Sequence, residues 1–270
     1  MSTSAPVMHT HWIHLPQQQG KLYAQSWVPA HASTSAAPIV LMHDSLGAVA
    51  LWRDFPERLA QLTQRTVIAY DRLGFGQSDA RQDVLSTQFV QEEAAYYFPQ
   101  VRAQLGFKRF VLLGHSVGGG MALSTAAHLG ADCQAVITIA AQAFVEELTT
   151  AGIREARAQF QDPAQITRLA KYHGDKARWV VDAWTETWLS NAFAQWSLDQ
   201  VLSQVQCPVL ALHGEHDEYG TRAHPQRIAD GVSGPSMAVL IPGAHHTPHR
   251  EMPDEVLAHI QRFLQAAEPA

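Results

Sequence analysis

The sequence predicts an α/β protein: a mostly parallel, doubly wound sheet of eight strands with a helical cap inserted between two of them. Three observations predict this fold class. Short apolar runs alternate with amphipathic segments, as in a parallel sheet covered by helices on both faces. Reactive side chains directly follow several of the runs. Between residues 143 and 202 the apolar runs stop and only helical patterns remain. We therefore divide the chain into a core, residues 1–142 and 203–270, and a cap, residues 143–202.

The composition fits one large domain with an insertion. The chain has 270 residues, of which 46% are hydrophobic and 16% are charged. A formal net charge of -6 gives no support to a nucleic-acid surface. There is no run of about 18 apolar residues, and the first residues lack the basic start and apolar stretch of a secretory signal. We expect a cytoplasmic protein with no nucleic-acid or membrane partner; the apolar cap leaves a homodimer open.

The cysteines could form a disulfide, and the histidines near the start of the chain could bind a metal. Cys133 and Cys207 lie in apolar, strand-like runs, and in a cytoplasmic protein we expect reduced core residues rather than a disulfide. Three histidines near the start, at positions 9, 11 and 14, are accompanied by no carboxylate or cysteine. We therefore expect solvated residues of an edge strand there, and no metal site.

The first half of the chain contains six of the predicted strands. Residues 11–28 form a predicted antiparallel hairpin, because two partly alternating apolar runs flank a polar break that contains glycine. Continuous apolar runs then predict buried strands at residues 39–42, 66–70, 110–115 and 135–140. Amphipathic segments predict helices at residues 51–64 and 86–105, with Ser86 as the N-cap and Gly106 as the stop. A third helix is expected from Ser116 to about residue 130.

The stretch around Ser116 is the most informative part of the sequence. An apolar run passes through Gly-His-Ser-Val-Gly into small residues that can form a helix. This is the pattern of a strand that turns sharply into a helix, with a strained serine exposed at the apex. Gly114 and Gly118 flank the serine where a side chain would crowd the turn. The N–H groups of the following helix favour negative charge at the same place. The alternative is a buried strand–helix turn with an idle serine.

The cap segment is rich in aromatic residues. Trp184 and Trp188 are four residues apart and share one face of a predicted helix. These aromatic side chains could pack a small helical subdomain, or some of them could line a pocket above Ser116 as a lid. The two interpretations are compatible.

The α/β pattern resumes after the cap and brings an acid and a base to the sheet edge. One predicted strand ends in His-Gly-Glu-His-Asp at residues 213–217, and the last ends in His245 and His246. In parallel sheets, ligands bind at the carboxyl ends of the strands, where Ser116 also lies. A serine nucleophile needs a base within hydrogen-bond reach, and a histidine base needs a carboxylate to fix its tautomer. The order serine, acid, histidine is that of the nucleophile-elbow architecture.

On these residues the chain resembles the α/β-hydrolase fold family, in the branch that has a helical cap and a serine nucleophile. The resemblance covers nearly the whole chain. Four motifs carry it: Asp-Arg-x-Gly-x-Gly-x-Ser at residues 71–78, the elbow at residues 114–119, His-Gly-x-x-Asp at residues 213–217, and a histidine followed by Glu-x-Pro at residues 251–253. Serine at the apex argues against the members that open epoxides or remove halogens, which carry aspartate there.

The resemblance implies a catalytic triad of Ser116, Asp217 and His246. Counting back from Glu-x-Pro favours His246 over His245, and the motif favours Asp217 over its neighbours Glu215 and Glu218. Neither a metal nor a cofactor is expected. A metal cluster of His245, His246 and His249 would have no function beside a serine elbow.

The resemblance also implies an oxyanion hole formed by the backbone N–H groups of Ser45 and Val117. The family has glycine before the first of these donors, whereas this chain has Asp44. A carboxylate that faced an oxyanion would oppose it, so either Asp44 points away or it orients a water molecule or a substrate hydroxyl. We expect Asp44 and Leu46, together with Trp184 and Trp188 of the cap, to contact the substrate.

The leading functional interpretation is a serine hydrolase that acts on a small to medium apolar ester through an acyl-enzyme. A carbon–carbon bond hydrolase of a vinylogous diketone acid is the runner-up, and it would need an arginine facing Ser116; the candidates are Arg154, Arg157, Arg168 and Arg178. Cofactor-free perhydrolysis has the same sequence signature. A non-catalytic ligand receptor and an acyltransferase are the interpretations from other classes.

Overall fold

The eight-stranded sheet predicted from the sequence is confirmed in the computed structural model, which describes residues 4–16, 20–32 and 36–267. The strand order is β1-β2-β4-β3-β5-β6-β7-β8. β1 pairs antiparallel with β2, β2 pairs antiparallel with β4, and the remaining pairs are parallel. The strands are β1 Val7–Leu15, β2 Gly20–Val28, β3 Ile39–Met42, β4 Val67–Tyr70, β5 Phe110–His115, β6 Cys133–Ile139, β7 Val209–Gly214 and β8 Ser236–Ile241. Part of the predicted hairpin break, residues 17–19, lies outside the described residues.

Helices cover both faces of the sheet. The described α-helices are α1 Phe55–Thr63, α2 Phe89–Glu92, α3 Phe98–Leu105, α4 Val117–Leu129, α5 Glu147–Gln159, α6 Pro163–His173, α7 Ala177–Trp188, α8 Asp199–Leu202, α9 Ala223–Gly231, α10 Pro248–Glu251 and α11 Pro253–Ala267. Two buried apolar layers separate them from the sheet. All six residues of β5 are buried, as expected for a central strand that is covered on both sides.

Two helix predictions needed correction. The helix predicted over residues 51–64 is divided into a 3₁₀ turn, Val49–Trp52, and α1, because Arg53 between them has a left-handed φ of 55°. The helix predicted from Ser86 begins instead at Phe89, and Ser86 accepts the N–H of Gln88 ahead of it. A π-helical segment, Glu93–Tyr97, joins α2 to α3, which ends at Gly106 as expected.

The cap contains helices α5 to α8. An isolated antiparallel bridge between Phe144 and Ser197 joins the two ends of the segment where it leaves and re-enters the core. Trp188, the last residue of α7, packs with Phe193 and Trp196, with ring centroids 5.1 to 5.6 Å apart. The cap boundaries at residues 143 and 202 remain a prediction.

None of the helices in the described part of the chain combines the length and the apolar character needed to cross a membrane. Both cysteines are free thiols; Cys133 is buried and Cys207 is half-buried.

Candidate active site

The sharp turn at Ser116 has the geometry that the sequence predicts. Ser116 follows β5 directly, with φ of 55° and ψ of -126°, and α4 begins at the next residue. A β carbon at Gly114 would lie 2.1 Å from the carbonyl oxygen of Gly118, and one at Gly118 would lie 2.1 Å from that of Met42. Only glycine fits at either place. The turn therefore holds the serine in a strained conformation between a buried strand and a helix N-terminus.

The hydroxyl of Ser116 donates a hydrogen bond to Oε1 of Gln142, at 3.2 Å. Gln142 is buried and lies just beyond the end of β6. In the described part of the chain, Ser116 makes no hydrogen bond with His246. Attack by the serine on a substrate would therefore require its hydroxyl to turn away from Gln142.

His246, which shares a cavity with Ser116, is hydrogen-bonded to Asp217. Nδ1 of His246 lies 2.9 Å from each carboxylate oxygen of Asp217. The side chain of Asp217 is fully buried, and its Oδ1 also accepts the N–H of Tyr219 at 2.8 Å. Because Nδ1 donates to the carboxylate, the other ring nitrogen, Nε2, is free to accept a proton. This is the orientation that a general base needs.

The neighbouring histidines and acids are engaged elsewhere. His245 has an exposed ring 3.4 Å from Glu251, and His249 packs against Trp52. Glu215 accepts the N–H of Gly243. Glu218 accepts the backbone N–H of His246. Among the candidate acids and the candidate histidines, the structure brings Asp217 and His246 together. No group of three potential metal ligands occurs among the residues that the structure describes.

The pKa of His246 is raised and the pKa of Asp217 is lowered, in each case against the effect of burial. Burial lowers the pKa of His246, but the hydrogen bond and charge of Asp217 and the charges of Asp44 and Glu218 outweigh it, so the pKa is raised above its usual value. Burial raises the pKa of Asp217, but the hydrogen bond from His246 and the nearby imidazoles outweigh it, so that pKa is lowered. The acid stays ionised and stabilises a protonated His246.

A second histidine lies behind the acid. Nε2 of His213 donates to the carbonyl of Gly220 at 2.8 Å and lies 3.3 Å from Oδ2 of Asp217. Burial lowers the pKa of His213, which favours the neutral ring. The ring therefore contacts both the carboxylate of Asp217 and the loop that follows it.

Ser45, in the loop after β3, lines the same cavity as Ser116. Neither the N–H of Ser45 nor that of Val117 is used in a hydrogen bond within the described residues. The carbonyl of Asp44 accepts hydrogen bonds from Nδ1 of His43 and from Nη2 of Arg72, at 2.8 and 2.9 Å. These two bonds hold the backbone of the loop that carries Ser45 in place.

The carboxylate of Asp44 is at the edge of the same cavity. Nδ1 of His115 lies 3.8 Å from its Oδ2. Burial lowers the pKa of His115 to about 4, so that ring is neutral at neutral pH. His115 also bonds the backbone carbonyl of His246 through Nε2, at 2.9 Å. Among the residues that the structure describes, no lysine or arginine lies within ion-pair distance of this carboxylate.

The cap reaches the core through His173, at the end of α6. Nδ1 of His173 accepts the buried N–H of Gly76 at 2.8 Å, and Nε2 donates to the carbonyl of Leu46 at 3.0 Å. One ring therefore joins the cap to the loop after β3 and to the loop after β4. Burial lowers the pKa of His173, which preserves the neutral form that these two bonds require.

A cavity of about 200 Å³ opens above Ser116 and contains His246 in its wall. All four side chains expected to contact substrate line it: Asp44, Leu46, Trp184 and Trp188. Ser45 also lines it, whereas Val117 is buried beneath it. The remaining lining residues are Gln142, Thr149, Ile153, Glu218, Tyr219 and Thr247.

Sequence reasoning missed several of these residues. Gln142 had a usable signal, since it is a polar residue that directly follows a buried strand at the reactive edge of the sheet. Thr149 and Ile153 had none, because the side of α5 that faces the cavity depends on how the cap packs. His173 looked like one of many histidines in a helical segment.

Comparison with known proteins supports the fold and the family. The sequence model of the α/β hydrolase fold family matches residues 37–180. The serine hydrolase BPHL of Mus musculus is 29% identical over 221 residues, which cover 78% of this chain and 74% of that protein. The proline iminopeptidase of Lactobacillus delbrueckii subsp. lactis is 34% identical over 91 residues, which cover 34% of this chain and 31% of that protein. The crystal structure of the proline iminopeptidase of Mycobacterium smegmatis has a TM-score of 0.77 at 22% identity and covers 96% of this chain and 98% of its own.

The chain therefore belongs to the α/β hydrolase fold family. It is an enzyme of that superfamily, whose members include serine hydrolases and iminopeptidases.

Proposed function

We propose that this protein is a serine hydrolase that cleaves small to medium apolar esters through an acyl-enzyme. Ser116 is the nucleophile, His246 is the general base and then the general acid, and Asp217 orients and stabilises the imidazolium. One observation carries the proposal: a serine strained at a strand–helix turn shares a cavity with a histidine whose Nδ1 is bound by a buried carboxylate.

Acylation begins when the hydroxyl of Ser116 leaves Gln142 and donates to Nε2 of His246. The serine oxygen attacks the ester carbonyl as its proton passes to His246, and the carbonyl oxygen becomes an oxyanion. The free N–H groups of Ser45 and Val117 stabilise that charge. His246 then gives its proton to the leaving alcohol. Deacylation repeats these steps with water as the nucleophile, and the acid product leaves Ser116 free.

The charge of the cavity favours ester hydrolysis over the runner-up reaction. A diketone acid would need a cation near Ser116, but no lysine or arginine is among the lining residues described above. The four candidate arginines are all exposed and bonded on the outer surface of the cap, to Glu147, Glu186, Gln165 and the carbonyl of Phe160. Asp44 and Glu218 would also repel a carboxylate. Two carboxylates in the cavity wall therefore count against carbon–carbon bond cleavage of an acid.

The same two carboxylates favour a second candidate function, the hydrolysis of aminoacyl esters or amides. A substrate ammonium group would be attracted to Asp44 and Glu218, while its side chain could contact Trp184 and Trp188. The name of one relative, proline iminopeptidase, is consistent with this possibility. No described contact favours perhydrolysis, acyl transfer or ligand binding over hydrolysis.

The test is hydrolysis of p-nitrophenyl esters of increasing acyl length by wild type, Ser116→Ala and Ser124→Ala. Ser124 is a matched control, since it lies on α4 with a buried hydroxyl that has no partner among the described residues. We expect turnover with an optimum at short acyl chains, lost in Ser116→Ala and retained in Ser124→Ala. Faster turnover of an alanine ester than of the propionate ester would favour the second candidate. Equal turnover by folded Ser116→Ala would refute both.

A further inference from the structure

The two cysteines of the chain meet at the edge of the sheet opposite to the candidate active site. Cys133 is the first residue of β6, and Cys207 lies two residues ahead of β7. The amino ends of these neighbouring parallel strands lie far from the carboxyl ends that carry Ser116 and Asp217. The two sulfur atoms are 3.8 Å apart. A modification here would therefore leave the hydrolytic residues untouched.

The two cysteines lie just before the paired parts of their strands, because the pairing of β6 with β7 begins at Val136 and Val209. Their sulfur atoms are already in contact at 3.8 Å. A disulfide bond is about 2.0 Å long, so its formation requires the two sulfur atoms to approach by about 2 Å.

The surroundings make the two thiols unequal. Cys133 is fully buried, whereas Cys207 is half-buried and is the more accessible residue of the two. The contact with Cys133 lowers the pKa of the Cys207 thiol, although burial acts against it. The contact with Cys207, together with burial, raises the pKa of the Cys133 thiol. The accessible thiol is thus the one that ionises first, and the buried thiol is placed to react with it.

We propose that Cys133 and Cys207 form an oxidisable dithiol site that a peroxide converts to an intramolecular disulfide. The thiolate of Cys207 attacks one oxygen of hydrogen peroxide, which gives a sulfenic acid and, after protonation, one water molecule. The sulfur of Cys133 then attacks the sulfur of Cys207. The S–OH bond breaks, the proton of the Cys133 thiol leaves with the hydroxide, and a second water molecule is released. Two thiols are oxidised by two electrons, and one peroxide is reduced to two waters.

The cross-link would enclose the entire cap. The loop it closes runs from the start of β6 to the start of β7, and residues 143–202 lie wholly within it. Closing so long a loop restricts the unfolded chain, and for a domain of this size we expect the midpoint of thermal unfolding to rise by about 5 to 10 °C. The residues proposed for hydrolysis lie at the carboxyl ends of the strands, at the opposite edge of the sheet, so ester turnover should stay within about a factor of two.

The experiment treats the reduced full-length protein with stoichiometric hydrogen peroxide and then counts free thiols under denaturing conditions. Intact-mass spectrometry and a non-reducing peptide map follow, with Cys133→Ser and Cys207→Ser as matched variants. We expect both thiols of the wild type to disappear, the mass to fall by two hydrogen atoms, and one peptide pair to link residues 133 and 207. Dithiothreitol should reverse all three changes. Each variant should keep one thiol or gain oxygen, and should not lose two hydrogens as a monomer.

Three outcomes would overturn the proposal: two thiols that persist after treatment, oxygen added to unlinked cysteines, or a disulfide formed only between two molecules. The wild-type mass decides between these without any variant, so a serine variant that fails to fold does not affect the result. If the oxidised and the reduced protein have the same midpoint of thermal unfolding, the expected stabilisation by the cross-link is contradicted. The outcome is independent of whether the protein hydrolyses esters.

Discussion

Replacing Asp217 by asparagine tests the proposed mechanism most directly. The substitution keeps the shape of the side chain but turns one oxygen, 2.9 Å from Nδ1 of His246, into an NH₂ group. An NH₂ group facing Nδ1 favours the tautomer that carries its proton on Nε2, and that nitrogen can then no longer accept the proton of Ser116. The carboxylate charge that stabilises the imidazolium is lost as well.

The magnitude follows from the two lost contributions. Opposite charges about 4 Å apart attract by about 4 kcal/mol at an effective dielectric constant near 20. That attraction alone corresponds to a loss of about 10³-fold in kcat/KM, and the wrong tautomer of His246 brings the loss to about 10⁴-fold. The pKa of His246 should also fall, because burial lowers it and the hydrogen bond and charge of Asp217 are what raise it.

Steady-state hydrolysis of a p-nitrophenyl ester across a range of pH would measure both effects. His246 must be neutral to act as the base, so wild-type kcat/KM should rise as the pH passes through the raised pKa. In Asp217→Asn the residual activity should have its rising limb at a lower pH than in the wild type. Glu215→Gln is the matched control, since this nearby half-exposed carboxylate accepts the N–H of Gly243 and lies 3.8 Å from Nε2 of His216, outside the proposed triad. The reasoning fails if folded Asp217→Asn keeps more than about a tenth of wild-type kcat/KM.

Three further predictions concern the same cavity. Asp44→Asn should move the rising limb of the kcat/KM profile to lower pH, because burial already lowers the pKa of His246 and the charge of Asp44 raises it; an unmoved limb would show that the carboxylate does not act on the base. Gln142→Met should raise kcat/KM about three- to tenfold by removing the acceptor that competes for the hydroxyl of Ser116, and a decrease in the same assay would assign the amide a direct part in catalysis. Ser116→Gly should unfold about 2 to 4 °C above Ser116→Ala in calorimetry, because only glycine adopts φ of 55° without strain; equal midpoints would argue against a strained turn.

The sheet and the sharp turn could be predicted because each depends on local patterns. Continuous apolar runs such as Ile39–Met42 suit only strands buried on both faces. Gly114 and Gly118 were informative because the backbone approaches them too closely for any side chain. The carboxyl ends of parallel strands meet at one edge, so the order of the strand ends also placed Ser116, Asp217 and His246 in one region.

What the sequence did not predict depends on contacts between distant segments. Nothing near residue 116 indicates that the hydroxyl is held by Gln142, because this bond depends on rotamers set by packing. The break at Arg53 was missed because the helical periodicity of residues 51–64 continues through it. His173 pairs with two loops that lie about a hundred residues earlier in the chain. Its role can be recognised only once α6 is packed against the core.

The bonds of His173 bear on how the substrate range of this enzyme could be redesigned. The ring belongs to the cap, yet it supplies the acceptor for the buried N–H of Gly76 and the donor for Leu46, one residue from Ser45. A transplanted cap that lacked an imidazole at this point would leave a buried amide unsatisfied and would loosen the loop that carries Ser45, the proposed oxyanion donor. Caps are therefore not freely interchangeable on this core. Side chains on α5 and α7 can be varied to reshape the pocket, whereas the last residue of α6 has to be carried over with any new lid.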